Sequence, residues 1–172
     1  MKRFFAALVV TVFFMPMMFV EPALSAPWKS YVNDRFGTSA QVPARGFIAQ
    51  PVPANNDGRI WKAADGRGSF AVYGSYMVVV DTFRQYRNFM LESARNDGVD
   101  ITYNVAGNGW FVYSGYLGND IIYAKVVLSR NCSQTVLNHI YLQYPRSEKL
   151  RYDPIVTRMA KTLTNVAWKW CN

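Results

Sequence analysis

Between residues 101 and 144, apolar and polar positions alternate in four short runs: 101–105 (ITYNV), 110–116 (WFVYSGY), 121–128 (IIYAKVVL) and 136–144 (VLNHIYLQY). The runs are rich in β-branched and aromatic residues. Gly-Asn-Gly at 107–109, Gly-Asn-Asp at 118–120 and a polar turn at 131–134 separate them. Such alternation, punctuated by tight-turn residues, predicts a four-strand antiparallel meander. The run 121–128 is apolar on both faces, with Ile122, Ala124, Val126 and Leu128 pointing one way and Ile121, Tyr123 and Val127 the other. A strand of that kind needs cover on both sides.

Two stretches of helical period supply the cover. In 82–96, Phe83, Tyr86, Met90 and Ala94 recur at three- and four-residue intervals, with Phe89 widening the stripe and Arg84, Arg87, Glu92 and Arg95 outside it. Asp81 is the expected N-cap, and Asn96-Asp97-Gly98 the stop. A second helix is expected from Asp153 as N-cap and Pro154 at the first helical position, with Ile155, Met159, Leu163, Val166 and Trp170 as its buried stripe.

Upstream, 30–35 and 38–42 read as a short hairpin about Phe36-Gly37, and Pro43, Pro51 and Pro53 make 50–56 an extended connector. Two Asp-Gly-Arg tripeptides, 57–59 and 65–67, mark turns on either side of Ile60-Trp61, and 68–76 is a further strand. The order strands, helix, strands, helix predicts an α+β fold: a mostly antiparallel central sheet covered by two helices, an α/β/α sandwich.

The first 26 residues change the picture of the compartment. Lys2 and Arg3 precede an apolar run over 4–20, and 23–26 (ALSA) offers small residues for cleavage. That is the layout of a secretory signal peptide cut after Ala26, although Leu24 is large for its place. Pro16 and Glu21 argue against a lasting membrane helix. Residues 27–172 then form one domain of the exported, periplasmic or secreted protein, with no transmembrane segment. Losing Lys2, Arg3 and Glu21 lowers the formal charge of +8 to +7. A basic exported chain meets anionic envelope components or an envelope protein, unless the charge serves solubility alone. Lys and Arg are scattered, which speaks against nucleic acid.

The two cysteines, Cys132 and Cys171, read in an oxidising compartment as a disulfide that closes a loop of about 40 residues, worth about 3–4 kcal/mol in chain-entropy terms. Neither sits in a Cys-x-x-Cys pair, so a redox role is not indicated.

Candidate chemistry is sparse. His139, the single histidine, shares a strand face with Leu137 and Tyr141, and no nucleophile motif accompanies it. Asn55, Asp57 and Asp65 offer oxygen ligands for Ca²⁺, but an EF-hand register would put Pro53 at its first position and Ala64 at its twelfth. One histidine and two distant cysteines make no zinc site, and no glycine-rich phosphate cradle opens a helix. The residues thus point to no cofactor. Trp61, between the two turns and flanked by Arg59 and Arg67, is expected to be exposed, and these three form the candidate binding surface for a sugar ring, peptide or partner. Paired carboxylates of a hydrolase acting on cell-wall or carbohydrate material are the alternative, although no two acids stand out.

Several phrases carry a resemblance: 31–38 (YVNDRFGT), 56–59 (NDGR), 65–68 (DGRG), 110–115 (WFVYSG), and Tyr144-Pro145 followed by 152–159 (YDPIVTRM). Together they resemble a group of uncharacterised bacterial secreted proteins across most of 28–170. The layout also resembles the PsbP-like fold of extrinsic photosystem proteins, whose opening Asn, Gly and Pro are matched by Asn33, Gly37 and Pro43. That resemblance implies a binding or assembly module rather than an enzyme.

Overall fold

The computed structural model describes residues 27–131 and 134–166. The proposed leader, both cysteines, Trp168 and Trp170 lie outside the described residues. In chain order the elements are β1 (Trp28–Val32), β2 (Thr38–Pro43), β3 (Phe47–Ala49), β4 (Gly58–Ala63) and β5 (Ser69–Tyr76). Then follow α1 (Phe83–Asn96), β6 (Asp100–Gly107), β7 (Trp110–Leu117), β8 (Asp120–Asn131), β9 (Gln134–Pro145), α2 (Lys149–Thr162) and β10 (Thr164–Asn165).

Seven strands make one antiparallel sheet in the order β3-β4-β5-β9-β8-β7-β6. The four-strand meander is its right half, closed by two-residue turns at Asn108-Gly109 and Gly118-Asn119. Both glycines take positive φ, at 73° and 57°, as the right-handed twist of a tight hairpin demands. A second sheet, β1-β2-β10, lies over part of the first.

Strand β8 is covered on both faces. Against one face packs α1, where Tyr86, Leu91 and Ala94 bury with Phe111, Ile122, Val126 and Leu137. Against the other pack α2 and the small sheet, where Tyr152, Ile155 and Met159 bury with Val42, Trp61, Phe70, Ile140 and Leu142. The architecture is the expected α+β sandwich, with the small sheet as an added layer beside α2.

Helix boundaries differ from expectation at both helices. Thr82, not Asp81, caps α1: its Oγ accepts from the Gln85 N–H at 3.2 Å, while Gln85 Oε1 accepts from the Thr82 N–H at 2.9 Å. This capping box satisfies two end donors reciprocally, which a lone carboxylate one residue earlier does not do. Phe89 leaves the buried stripe and is 46% exposed. Helix α2 begins four residues before Asp153, straight out of a 3-10 turn over Arg146–Glu148, so Pro154 lies inside it. The carbonyl that Pro154 cannot serve belongs to Leu150, which is 89% exposed, so water can take that place.

The same helix ends at Thr162 rather than continuing to Trp170. Leu163 turns extended (φ −61°, ψ 119°), and Thr164 and Asn165 pair with β2. Tertiary polar contacts enforce the break. Asn165 Nδ2 donates to Phe36 O and to Asn138 Oδ1, each at 2.8 Å, and Thr162 Oγ1 accepts from Gln41 N at 3.0 Å. Of the expected stripe, Ile155, Met159 and Leu163 are buried and Val166 is 39% exposed. Among the described residues, no helix is long and apolar enough to cross a membrane.

Candidate functional site

The three residues nominated within 55–68, Arg59, Trp61 and Arg67, do not come together on one exposed surface. Trp61 is buried, not exposed: its ring stacks on Phe70 at 5.0 Å and meets Tyr31 edge-on at 5.0 Å between the two sheets. Its position on β4, paired with Phe70 on β5, sends the side chain to the covered face. Its Nε1 finds no hydrogen-bond partner among the described residues. Arg59 is half-buried, with Nε donating to Gln50 O at 3.1 Å.

Arg67 lies near the other end of β4, where its exposed side chain pairs with Glu148 at 2.5 Å and, more loosely, with Asp65 at 3.6 Å. Asp65 is held below the usual carboxylate range, first by the Arg67 backbone N–H and then by the Arg151 guanidinium. This turn is a fastening onto α2, reinforced by Tyr152 Oη donating to Arg67 O at 2.8 Å.

The calcium trio is also split. Asn55 Nδ2 donates to Asp57 Oδ2 at 2.9 Å at one end of β4, while Asp65 is at the other. A six-residue strand separates them by roughly 20 Å, too far for one ion. No cluster of metal-ligating side chains forms among the described residues.

His139 is fully buried in the sheet. Its ring stacks on Tyr73 at 4.4 Å, and Nε2 lies 3.1 Å from Ser75 Oγ. Burial pushes its pKa down to about 3, so it is neutral and part of the core.

The open site lies elsewhere, where α2 stops short of the sheet's edge. Among the described residues, the helix makes its main contacts with β2, β9 and β8 and fewer with β6 and β7. There a cleft of about 450 Å³ opens, walled by Tyr103, Tyr116, Tyr123 and Tyr144 and bounded on the helix side by Lys149 and Asp153. Strand register explains its shape. Tyr103, Ser114 and Tyr123 are cross-strand partners in one row, and Tyr116, Ile121 and Tyr144 in the next. The small Ser114 between two tyrosines leaves the hollow, and its hydroxyl is turned down to Ile122 O at 2.7 Å.

Two of the four tyrosine walls are braced. Tyr144 stacks on Tyr152 at 4.4 Å with the rings 3° from parallel, and the Arg146 guanidinium lies 3.6 Å above the Tyr116 ring. Lys149 pairs with Asp153 at 2.7 Å along the helix. A register shift between Ile101 and Tyr103 sets the angle of the outer wall. Gly115 permits it, because a Cβ there would sit 2.1 Å from Asp100 O. Burial pushes the Tyr123 and Tyr144 phenols up to about 12, so both stay protonated near neutrality. The cleft therefore offers aromatic faces and neutral hydroxyl groups, which suits recognition by stacking and hydrogen bonding.

The composition pointed to Trp with Arg and missed these tyrosines. The signal was present: two-residue turns fix register, and register places the tyrosines side by side.

Compared with solved structures, the fold is similar to cyanobacterial PsbP (CyanoP) from Synechocystis sp. PCC 6803, with a TM-score of 0.59 at 12% identity over 82% of this chain and 94% of that one. It is similar also to the Ran-binding protein Mog1p of Saccharomyces cerevisiae, with a TM-score of 0.52 at 14% identity over 83% and 97% of the two chains. A point mutant of Mog1 gives a TM-score of 0.53 at 12% identity over 85% and 100%. No protein-family model and no curated protein matches the chain. The chain thus has the α+β sandwich of PsbP and Mog1, and at these identities the likeness concerns the fold alone.

Proposed function

We propose that this chain is an exported, non-catalytic binding or assembly module of the bacterial envelope, and that its ligand surface is the tyrosine cleft beside α2. The observation that carries the reading is the braced, open aromatic hollow between α2 and the edge of the sheet. Preformed aromatic surface binds with little ordering cost. A fold shared with a Ran-binding protein supports a protein as the ligand. The nominated trio around Trp61 is replaced in this role by Tyr103, Tyr116, Tyr123 and Tyr144, since the indole is buried.

Export rests on the leader layout of residues 1–26 and is tested by the N-terminus of protein recovered from the envelope fraction, expected at Pro27. A Cys132–Cys171 disulfide belongs to the same reading. The chain between Asn165 and Cys171 is six residues and spans up to about 20 Å when extended. Asn165 is tied to Asn138, which lies in β9 a few residues beyond the 131–134 turn that carries Cys132. Intact mass under non-reducing conditions, two daltons lighter than after reduction, checks it.

The function itself is tested by in-cell crosslinking of the tagged protein in the envelope, with Tyr103→Ala alongside. One defined protein captured by the wild type and lost from the variant is expected. Capture that is unchanged in the variant would remove the cleft from the reading.

A further inference from the structure

The two edges of the large sheet are built differently. Edge strand β3 is three residues long and lies between Gly46 and the prolines Pro51 and Pro53. Short length and nearby proline are the usual protections of an exposed edge. Edge strand β6 is eight residues long and contains neither lysine nor proline. Its register shift is confined to Ile101–Tyr103, so that Tyr103 to Gly107 run regularly. Among the described residues, no strand pairs with its outer side.

The backbone groups offered there can be counted. Asn108-Gly109 is a two-residue turn, which makes Gly107 and Trp110 the hydrogen-bonded closing pair. Counting back, Tyr103 and Val105 bond to β7, while Asn104 and Ala106 turn their N–H and C=O groups outward. Ala106 is exposed, and Tyr103, 52% exposed, forms the lip of the cleft on one face of the same strand.

From this juxtaposition we infer that the partner adds an extended segment to β6 as an eighth strand. Main-chain hydrogen bonds to Asn104 and Ala106 supply affinity. Alternate side chains of the segment extend the Tyr103–Ser114–Tyr123 row, so that a large apolar or aromatic one packs on Tyr103 at the lip of the cleft and supplies selectivity. The occupant is an extended peptide of a partner protein with apolar residues at two-residue spacing. The inference rests on the cleft being the ligand surface, and names how that surface is engaged.

The test is selection of a phage-displayed library of random ten-residue peptides on the full chain. Enriched peptides are then synthesised with and without N-methylation at alternate backbone nitrogens. Ala106→Pro removes one outward N–H from an edge strand that tolerates proline, and Tyr103→Ala alters the cleft alone. The expected result is alternating apolar peptides whose binding weakens roughly tenfold or more in Ala106→Pro and on N-methylation in one phase only. They should also slow hydrogen exchange at Asn104 and Ala106. If Ala106→Pro does not fold, the N-methyl and exchange arms decide on the wild type.

Peptides that depend on Tyr103 but are indifferent to Ala106→Pro and N-methylation would overturn strand addition and leave the cleft standing. Peptides indifferent to both variants, or no enrichment, would overturn both. Self-association of the wild type abolished by Ala106→Pro would replace the partner peptide by a second copy of this chain.

Discussion

The Arg146 guanidinium lies 3.6 Å above the Tyr116 ring, yet Arg146 itself is exposed and takes part in no ion pair among the described residues. Its planar group is held by stacking while its N–H donors stay available beside the cleft. An exposed contact of this kind contributes about 0.5–1 kcal/mol. Arg146→Ala should therefore shift the urea midpoint only slightly, while ligand binding in the cleft falls. Arg146→Lys should not restore binding, because an ammonium cannot reproduce the stacked plane.

Tyr103→Ala separates function from stability in the same way. Tyr103 is more than half exposed, so its loss should cost less than about 1 kcal/mol in urea denaturation. Affinity for the captured partner should fall at least tenfold, as for an aromatic anchor. Equal binding by both proteins would count against the cleft.

His139 gives the fold an acid-sensitive point. Buried against Tyr73, it is neutral in the folded chain with a pKa of about 3, while in the unfolded chain it titrates at about 6.5. Between those values the unfolded state binds a proton that the folded state does not. Stability is full above about pH 6.5, falls by up to about 1.4 kcal/mol per pH unit as the pH drops, and levels off below about 3. His139→Gln should lose this component. The stability gap between wild type and variant, measured by urea titration at pH 7, 5 and 4, is expected to narrow on acidification.

Trp61→Phe should be unusually mild for a buried tryptophan. It gives up apolar area but also removes an N–H that has no partner among the described residues, whose desolvation costs about 1–3 kcal/mol. A net change within about 1 kcal/mol is expected, against about 3–5 kcal/mol for Trp61→Ala. Binding in the cleft should be unchanged in Trp61→Phe.

Asn138 is the knot of a buried polar network. Its Oδ1 accepts from Thr38 Oγ1 and Asn165 Nδ2, each at 2.8 Å, and its Nδ2 donates to Val127 O at 3.1 Å. Asn138→Leu would leave these groups without their partner, for a loss of about 3 kcal/mol in urea denaturation. The first protection from hydrogen exchange to disappear should be at β10.

These residues also show what a sequence can and cannot disclose. Alternation over 101–144 located the meander and both of its tight turns, because a period of two and positive-φ glycines are local properties. The faces of β8 and β9 followed from the same period, and His139 fell on the expected side. Trp61 was misplaced because exposure depends on β1 and β2 folding over β4, which no local pattern encodes. The end of α2 was misjudged for a similar reason: Asn165 leaves helical geometry to bond with Asn138 and Phe36, partners far away in sequence. The tyrosine cleft lay between these extremes, since its rows can be counted from turn lengths but its opening depends on where α2 ends its cover.

The pairing of Ser39 with Thr164 has a consequence for assembly in time. Polypeptide is made from its N-terminus, so β2 emerges well before α2 and β10. Until then the small sheet lacks its third strand, and Val42 lacks the helix that packs over β2. Closing a span of more than a hundred residues precedes any gain from that contact, and such long-range closure slows folding. The chain should therefore stay pliable and protease-sensitive until α2 and β10 are free to pack, then gain its resistance in one step.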